Sequence, residues 1–93
     1  MYYTYILSNA WRTTLYIGIT HDIRRRVDEH RQGIGGAFTK KYKLHDLVHL
    51  EEYDDVTDAI RREKELKGWR RSKKNTLIVL ANPTWSDLST MLI

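Results

Sequence analysis

Tyr2-Tyr3-Thr4-Tyr5-Ile6-Leu7 and, after Ser8 to Thr13, Thr14-Leu15-Tyr16-Ile17-Gly18-Ile19 form the stretch on which the fold turns. Both segments are dense in aromatic and β-branched residues, which suit a pleated, half-buried surface and predict two strands. The short intervening segment makes a hairpin the simplest connection, although no Asn-Gly marks a tight turn. Side chains alternate along a strand, so Tyr3, Tyr5 and Leu7 share one face, and Tyr16, Gly18 and Thr20 share one face of the second strand. If the hairpin pairs Tyr5 near Tyr16, their hydroxyls converge. Six tyrosines against one phenylalanine mean that hydroxyls stand where a plain ring would pack. Gly18 weakens a strand and marks a close approach by a backbone or a ligand.

Working outward, Thr20 or Asp22 caps a helix whose stripe is Ile23, Val27, His30 and Ile34, and Gly33, Gly35 and Gly36 end it in a flexible loop. Leu47 to Tyr53 reads as a third strand. Asp54 or Asp55 caps a second helix running to about Leu66, with Gly68 ending it. Ser72 to Ala81 reads as a third helix, stopped at Asn82-Pro83 because proline does not continue a helix. Trp85, Leu88 and Met91 follow at helix-like spacing in a short tail. The order β-β-α-β-α-α predicts an α+β fold: a small three-stranded, mostly antiparallel sheet flanked by about three helices, in one domain spanning residues 1–93.

With 41% hydrophobic residues the 93-residue chain is too apolar to be disordered, and its thin core makes each apolar position count. No apolar run approaches the roughly 20 residues that span a bilayer, and the amino terminus lacks a signal-like segment, so no membrane association and a cytoplasmic location are expected. The absence of cysteine excludes disulfides, thiolate chemistry and cysteine zinc sites. There is no HExxH, P-loop or GxSxG motif and no spaced histidine pair. His21, His45 and His49 read as surface or strand residues without a partner.

The net charge of +4 matters less than its distribution. Arg61, Arg62, Lys64, Lys67, Arg70, Arg71, Lys73 and Lys74 form one basic run. Arg24, Arg25, Arg26 and Arg31 form a second group, and Lys40, Lys41 and Lys43 a third. Acids pool between Glu51 and Asp58. Segregated positive charge is what a phosphate backbone seeks, and a solvated helix face is the competing explanation.

Two polar residues fall on apolar stripes. Glu63 lies three residues after Ile60 and three before Leu66; a carboxylate there costs several kcal/mol unless it is paired, hydrogen-bonded or metal-bound. Pairing with a nearby arginine would make it merely structural. His30 lies three after Val27, and Arg26 is four before His30, so the two side chains point the same way. Arginine offers a fixed fork for phosphate, and histidine moves a proton near neutral pH. Taken singly, each also has an ordinary role, as a core histidine or a surface cation.

These residues resemble the GIY-YIG nuclease superfamily, in its small stand-alone branch. The second signature stands intact as Tyr16-Ile17-Gly18, and Tyr3-Thr4-Tyr5 occupies the place of the first, keeping its tyrosine and followed by Leu7 and Asn9. The run from Tyr16 through Arg24-Arg25-Arg26 into Glu29-His30, the segment Ala59 to Arg71 and Asn82-Pro83-Thr84-Trp85 extend the likeness over nearly the whole chain. The resemblance implies catalytic roles for Tyr5, Tyr16, Arg26, His30 and Glu63, with Glu63 as the metal-binding glutamate. It places a late asparagine on Asn82, with Asn75 as the rival.

It further implies hydrolysis of DNA phosphodiester bonds, in repair or recombination, with Mg²⁺ or Mn²⁺ held by Glu63, water and a phosphate oxygen. Tyr5 or Tyr16 would activate a water, His30 would take the proton or orient the tyrosine, and Arg26 would bind a non-bridging oxygen. Arg25, Arg26, Lys67, Arg70, Arg71, Lys73 and Lys74 are the expected nucleic-acid contacts, with Trp69 among them as a core plug or a stacking ring. DNA is the expected partner of a monomer or weak dimer. The alternatives are a DNA-binding domain with weak or no catalysis, and an accessory protein-interaction module.

Overall fold

The computed structural model describes residues 1–92. The two tyrosine-rich segments form the hairpin: β1 is Tyr2–Ser8 and β2 is Leu15–Thr20. Next come α1 (Ile23–Arg31), α2 (Ala37–Lys41), β3 (Asp46–Tyr53), α3 (Val56–Gly68) and α4 (Arg71–Ala81), then a 3₁₀ turn over Leu88–Met91. The strands run β2-β1-β3 across the sheet, and both pairings are antiparallel. The central strand is therefore β1, the segment richest in buried side chains.

Register fixes which residues share a face. Tyr5 pairs with Gly18 and Leu7 with Tyr16, so the two tyrosines meet on a diagonal. A bulge between Ile6 and Leu7 sets Ile6 against His49 and Leu7 against Leu47, with Val48 as the extra residue. On one face Tyr5, Leu7 and Leu47 pack with Ile23 and Val27 of α1 and with Leu44. On the other, Ile6, Ile17 and Val48 pack with Leu66 of α3 and Ile78 of α4. Each fully buried Leu or Ile contributes about 1.5–3 kcal/mol, so these two thin layers hold a three-layer molecule together.

Asp22 caps α1 by accepting the Arg25 N–H at 3.2 Å, and Asp55 caps α3 by accepting the Thr57 N–H at 2.8 Å. The helix count rises from about three to four because α2 forms where a flexible glycine loop is expected. Gly33 (φ 80°) and Gly36 (φ 138°) turn the chain on either side of Gly35, and α2 starts at once. Helix α1 stops at Arg31, so Ile34 leaves the stripe and is 68% exposed. On α3, Val56 and Ile60 are also partly exposed; the buried line is Ala59 and Leu66, with Glu63 between them.

The tail is tied down by one carboxylate. Asp87 accepts the Leu47 N–H at 3.0 Å and pairs with Arg31. Among the described residues no helix is long and apolar enough to cross a membrane.

Candidate active site

Tyr5 points from the centre of the sheet toward α1, where Arg26 and His30 sit one turn apart. Its hydroxyl lies 3.1 Å from His30 Nε2. The rings of Tyr16 and His30 are 5.4 Å apart, and those of Tyr5 and Tyr16 are 6.2 Å apart. This convergence needs Gly18: a Cβ there would stand 2.6 Å from the Tyr5 hydroxyl and 2.8 Å from the Tyr16 ring. Both rings occupy the space that a side chain would fill.

His30 is fully buried, and its second nitrogen is also engaged. Nδ1 lies 2.9 Å from Thr39 Oγ1 on α2, and that hydroxyl donates to the Gly36 carbonyl at 3.3 Å. A hydroxyl has one proton, and with that proton on the Gly36 carbonyl Thr39 accepts from His30, which assigns the imidazole proton to Nδ1. Nε2 is then a bare acceptor facing the Tyr5 O–H.

Electrostatics reinforce this arrangement. Burial, helped by the Arg26 charge, lowers the His30 pKa to about 4, so the ring is neutral at pH 7. Burial raises Tyr5 to about 12, with Tyr16 and Glu63 adding to the rise and Arg26 opposing it. The resting pair is a neutral phenol donating to a neutral imidazole. Burial works against the Arg26 cation, but its interactions with Glu29 and with the Tyr5 and Tyr16 hydroxyls outweigh that and raise its pKa. Its guanidinium donates to Glu29 Oε1 at 3.0 Å and to the Gly35 carbonyl at 2.9 Å.

Glu63 comes from α3, in the layer on the opposite face of the sheet. Its side chain is 17% exposed and meets Lys67 Nζ at 3.4 Å, and its negative charge acts on the Tyr5 hydroxyl. Among the described residues no three His, Cys, Asp or Glu side chains gather to hold an ion, so Glu63 stands as a lone carboxylate. A single carboxylate completed by water and a phosphate oxygen is a coordination that Mg²⁺ accepts readily.

Other residues singled out from the sequence lie elsewhere. The Asn82 amide is fully used: Nδ2 donates to the Val48 and Ser86 carbonyls at 3.1 and 2.9 Å, and Oδ1 accepts the Ser86 N–H. Asn75 accepts from Arg71 Nε at 2.8 Å. Neither asparagine bonds to the tyrosine–histidine group. Arg71 also donates to the Arg12 and Thr13 carbonyls, which joins α4 to the hairpin turn. Lys73 Nζ lies 4.1 Å above the Trp69 ring, and the Arg62 guanidinium lies 5.0 Å from it. Trp69 packs against the Ile6–Leu66 core, in keeping with a plug. Arg25 and Arg70 are exposed, and Lys74 is partly so.

Two groups escaped the sequence reading. Thr39 had no periodic signal, because α2 is only five residues long. His49 is buried rather than partnerless: its Nε2 is 2.8 Å from Glu51, which also accepts from Tyr53 at 2.6 Å and from Arg62 Nε at 2.8 Å. Burial opposes the Glu51 charge, yet these donors hold its pKa down at about 2. The alternation of Glu51 and Tyr53 on one strand face was the available signal.

Comparison with known proteins gives a consistent picture. Residues 1–76 match the family described as the GIY-YIG catalytic domain. A UPF0213 protein of Natronomonas pharaonis is 42% identical over 77 residues, covering 83% of this chain and 89% of the relative. A UPF0213 protein of Haloquadratum walsbyi is 40% identical over 76 residues, covering 82% and 84%. The solution NMR structure of a UPF0213 protein from Bacillus halodurans superposes with a TM-score of 0.60 at 31% identity, over 94% of this chain and 93% of that one.

Proposed function

Because the chain belongs to the GIY-YIG catalytic domain family, we propose that it is a divalent-metal-dependent endonuclease that hydrolyses DNA phosphodiester bonds through the Tyr5–His30–Arg26 group. The observation that carries this reading is the Tyr5 hydroxyl set 3.1 Å from a buried, neutral His30 Nε2. A structural tyrosine needs only some acceptor. This one has an acceptor able to take a proton, with a guanidinium beside both tyrosines.

The residues divide the work. His30 Nε2 accepts the Tyr5 proton as the Tyr5 oxygen takes one from the attacking water, so no free phenolate forms. Because burial and Arg26 hold His30 at about 4, the imidazolium is disfavoured, and the negative charge building on the phosphate has to offset it. Thr39 keeps Nε2 bare for that transfer. Arg26 offers its fork to a non-bridging phosphate oxygen as negative charge builds. Tyr16 closes the other side of the pocket and orients the water. Glu63 holds the cation, which when bound supplies positive charge to the phosphate and the departing oxygen.

Plasmid cleavage in Mn²⁺ or Mg²⁺ tests this. Tyr5→Phe and Glu63→Gln should each lower the cleavage rate by about 10²-fold or more, in the range general acid–base groups contribute. Cleavage by Glu63→Gln at the wild-type rate would contradict the mechanism.

A further inference from the structure

A row of rings leads from the site to the surface. The Tyr16 ring lies 6.5 Å from Phe38 on α2, and Phe38 lies 4.8 Å from Tyr42 just beyond that helix. Tyr42 and Trp11 of the hairpin turn then line one cleft of about 220 Å³, together with Lys43. The three outer rings are wet: Phe38 is 47% exposed, Tyr42 40% and Trp11 85%. Burying any of them in the core would gain a few kcal/mol, so a row left in water next to a reactive group calls for an occupant.

The charges beside the row say which occupant. Lys40, Lys41 and Lys43 are exposed, and no ion pair engages them among the described residues. Lys41 Nζ sits 5.3 Å from the Tyr42 ring centroid. An apolar protein partner would find three ammonium groups to desolvate. A duplex offers phosphates but hides its base faces. Unpaired nucleotides offer both a flat π-face for each ring and a phosphate for each lysine.

We infer that the surface formed by Trp11, Phe38 and Tyr42 with Lys40, Lys41 and Lys43 binds an unpaired nucleic-acid segment adjoining the phosphate at the Tyr5–His30 group. As to cleavage, this rests on the endonuclease reading above; as to binding, it stands apart from it. Helix α2 couples the two, because its inner face carries Thr39 against His30 while its outer face carries Phe38. The preferred substrate is DNA with a single-stranded stretch next to the cleaved bond.

The test is fluorescence anisotropy in EDTA, where no cleavage occurs, with a labelled single-stranded oligothymidylate and a blunt duplex of equal length. Phe38→Ala/Tyr42→Ala should weaken single-strand binding by roughly tenfold or more while changing duplex binding little. Phe38→Tyr, which keeps a ring, should bind as wild type and guards against a folding artefact. Lys40→Ala/Lys41→Ala should flatten the salt dependence by about two phosphate contacts. Unchanged single-strand binding in the ring variant, equal losses on duplex and single strand, or transfer of the whole effect to Arg70→Ala/Arg71→Ala would overturn the inference. A protein that binds single strands on these rings but leaves DNA intact in Mn²⁺ would uphold this surface and refute the endonuclease reading.

Discussion

His30 has two bonds, and Thr39 decides which nitrogen holds the proton. The Thr39 hydroxyl spends its own proton on the Gly36 carbonyl, so removing that hydroxyl does more than delete a contact. Thr39→Val would leave the buried Nδ1–H without an acceptor, a loss worth about 1–3 kcal/mol if the tautomer stayed as it is. The imidazole escapes that cost by moving its proton to Nε2, where it points at Tyr5 and no longer accepts. The expected signature is a switch of tautomer in the ¹⁵N spectrum and a loss of DNA cleavage, with oligonucleotide binding retained. Thr39→Ser should behave as wild type. An unaltered tautomer in Thr39→Val would show that the hydroxyl has no such role.

Helix α1 carries Arg26 and His30 on one face, and its start sets their height above the sheet. Asp22 satisfies an amide that would otherwise have no partner in the first turn. Asp22→Ala should cost about 1 kcal/mol, read as a lower urea midpoint at unchanged slope. Fraying at that end loosens Ile23 first, then Arg26. The bulge in β1–β3 acts at the same scale: it lets Leu47 and His49 sit on opposite faces with one residue to spare. That places a histidine beside Glu51 on the α3 side, where Arg62 completes the network.

For the molecule as a whole, three depressed pKa values set the response to acid, those of His30, Glu51 and Asp87. Burial opposes the Asp87 charge, but the Ser89 and Leu47 donors and Arg31 hold its pKa down. The unfolded chain protonates histidine at about 6.5, but the fold holds His30 at about 4. Between those values the unfolded state binds the extra proton, so stability is full above pH 6.5 and declines as pH falls through the window. Glu51 repeats this lower down, from its ordinary 4.5 to about 2. Tyr5 and Tyr53, both raised to about 12, give the opposite slope: the unfolded chain ionises first, and stability falls as pH rises from 10 toward 12. Urea unfolding against pH should show both acid limbs. His30→Gln should flatten the upper one and Glu51→Gln the lower; a wild-type slope persisting in His30→Gln would assign that limb to another group.

The hairpin, the three strands, the helix starts, with caps narrowed to Thr20 or Asp22 and to Asp54 or Asp55, and the polar intrusions at His30 and Glu63 were legible from residue order, because alternation, helical spacing and capping are local. A strand's face follows from counting by two, and a carboxylate three residues from Ile60 and three from Leu66 is conspicuous in the sequence, though the structure buries Ala59 and leaves Ile60 partly exposed. What residue order left open is what meets across long separations. Thr39 reaches His30 from a helix too short to leave a period, Ile34 falls off the stripe because α1 ends early, and His49 finds Arg62 from another element. The line of rings from Tyr16 to Trp11 joins a hairpin turn to α2. Only packing brings those segments within a few ångströms, because the pairing depends on sheet register and a bulge that no local pattern encodes.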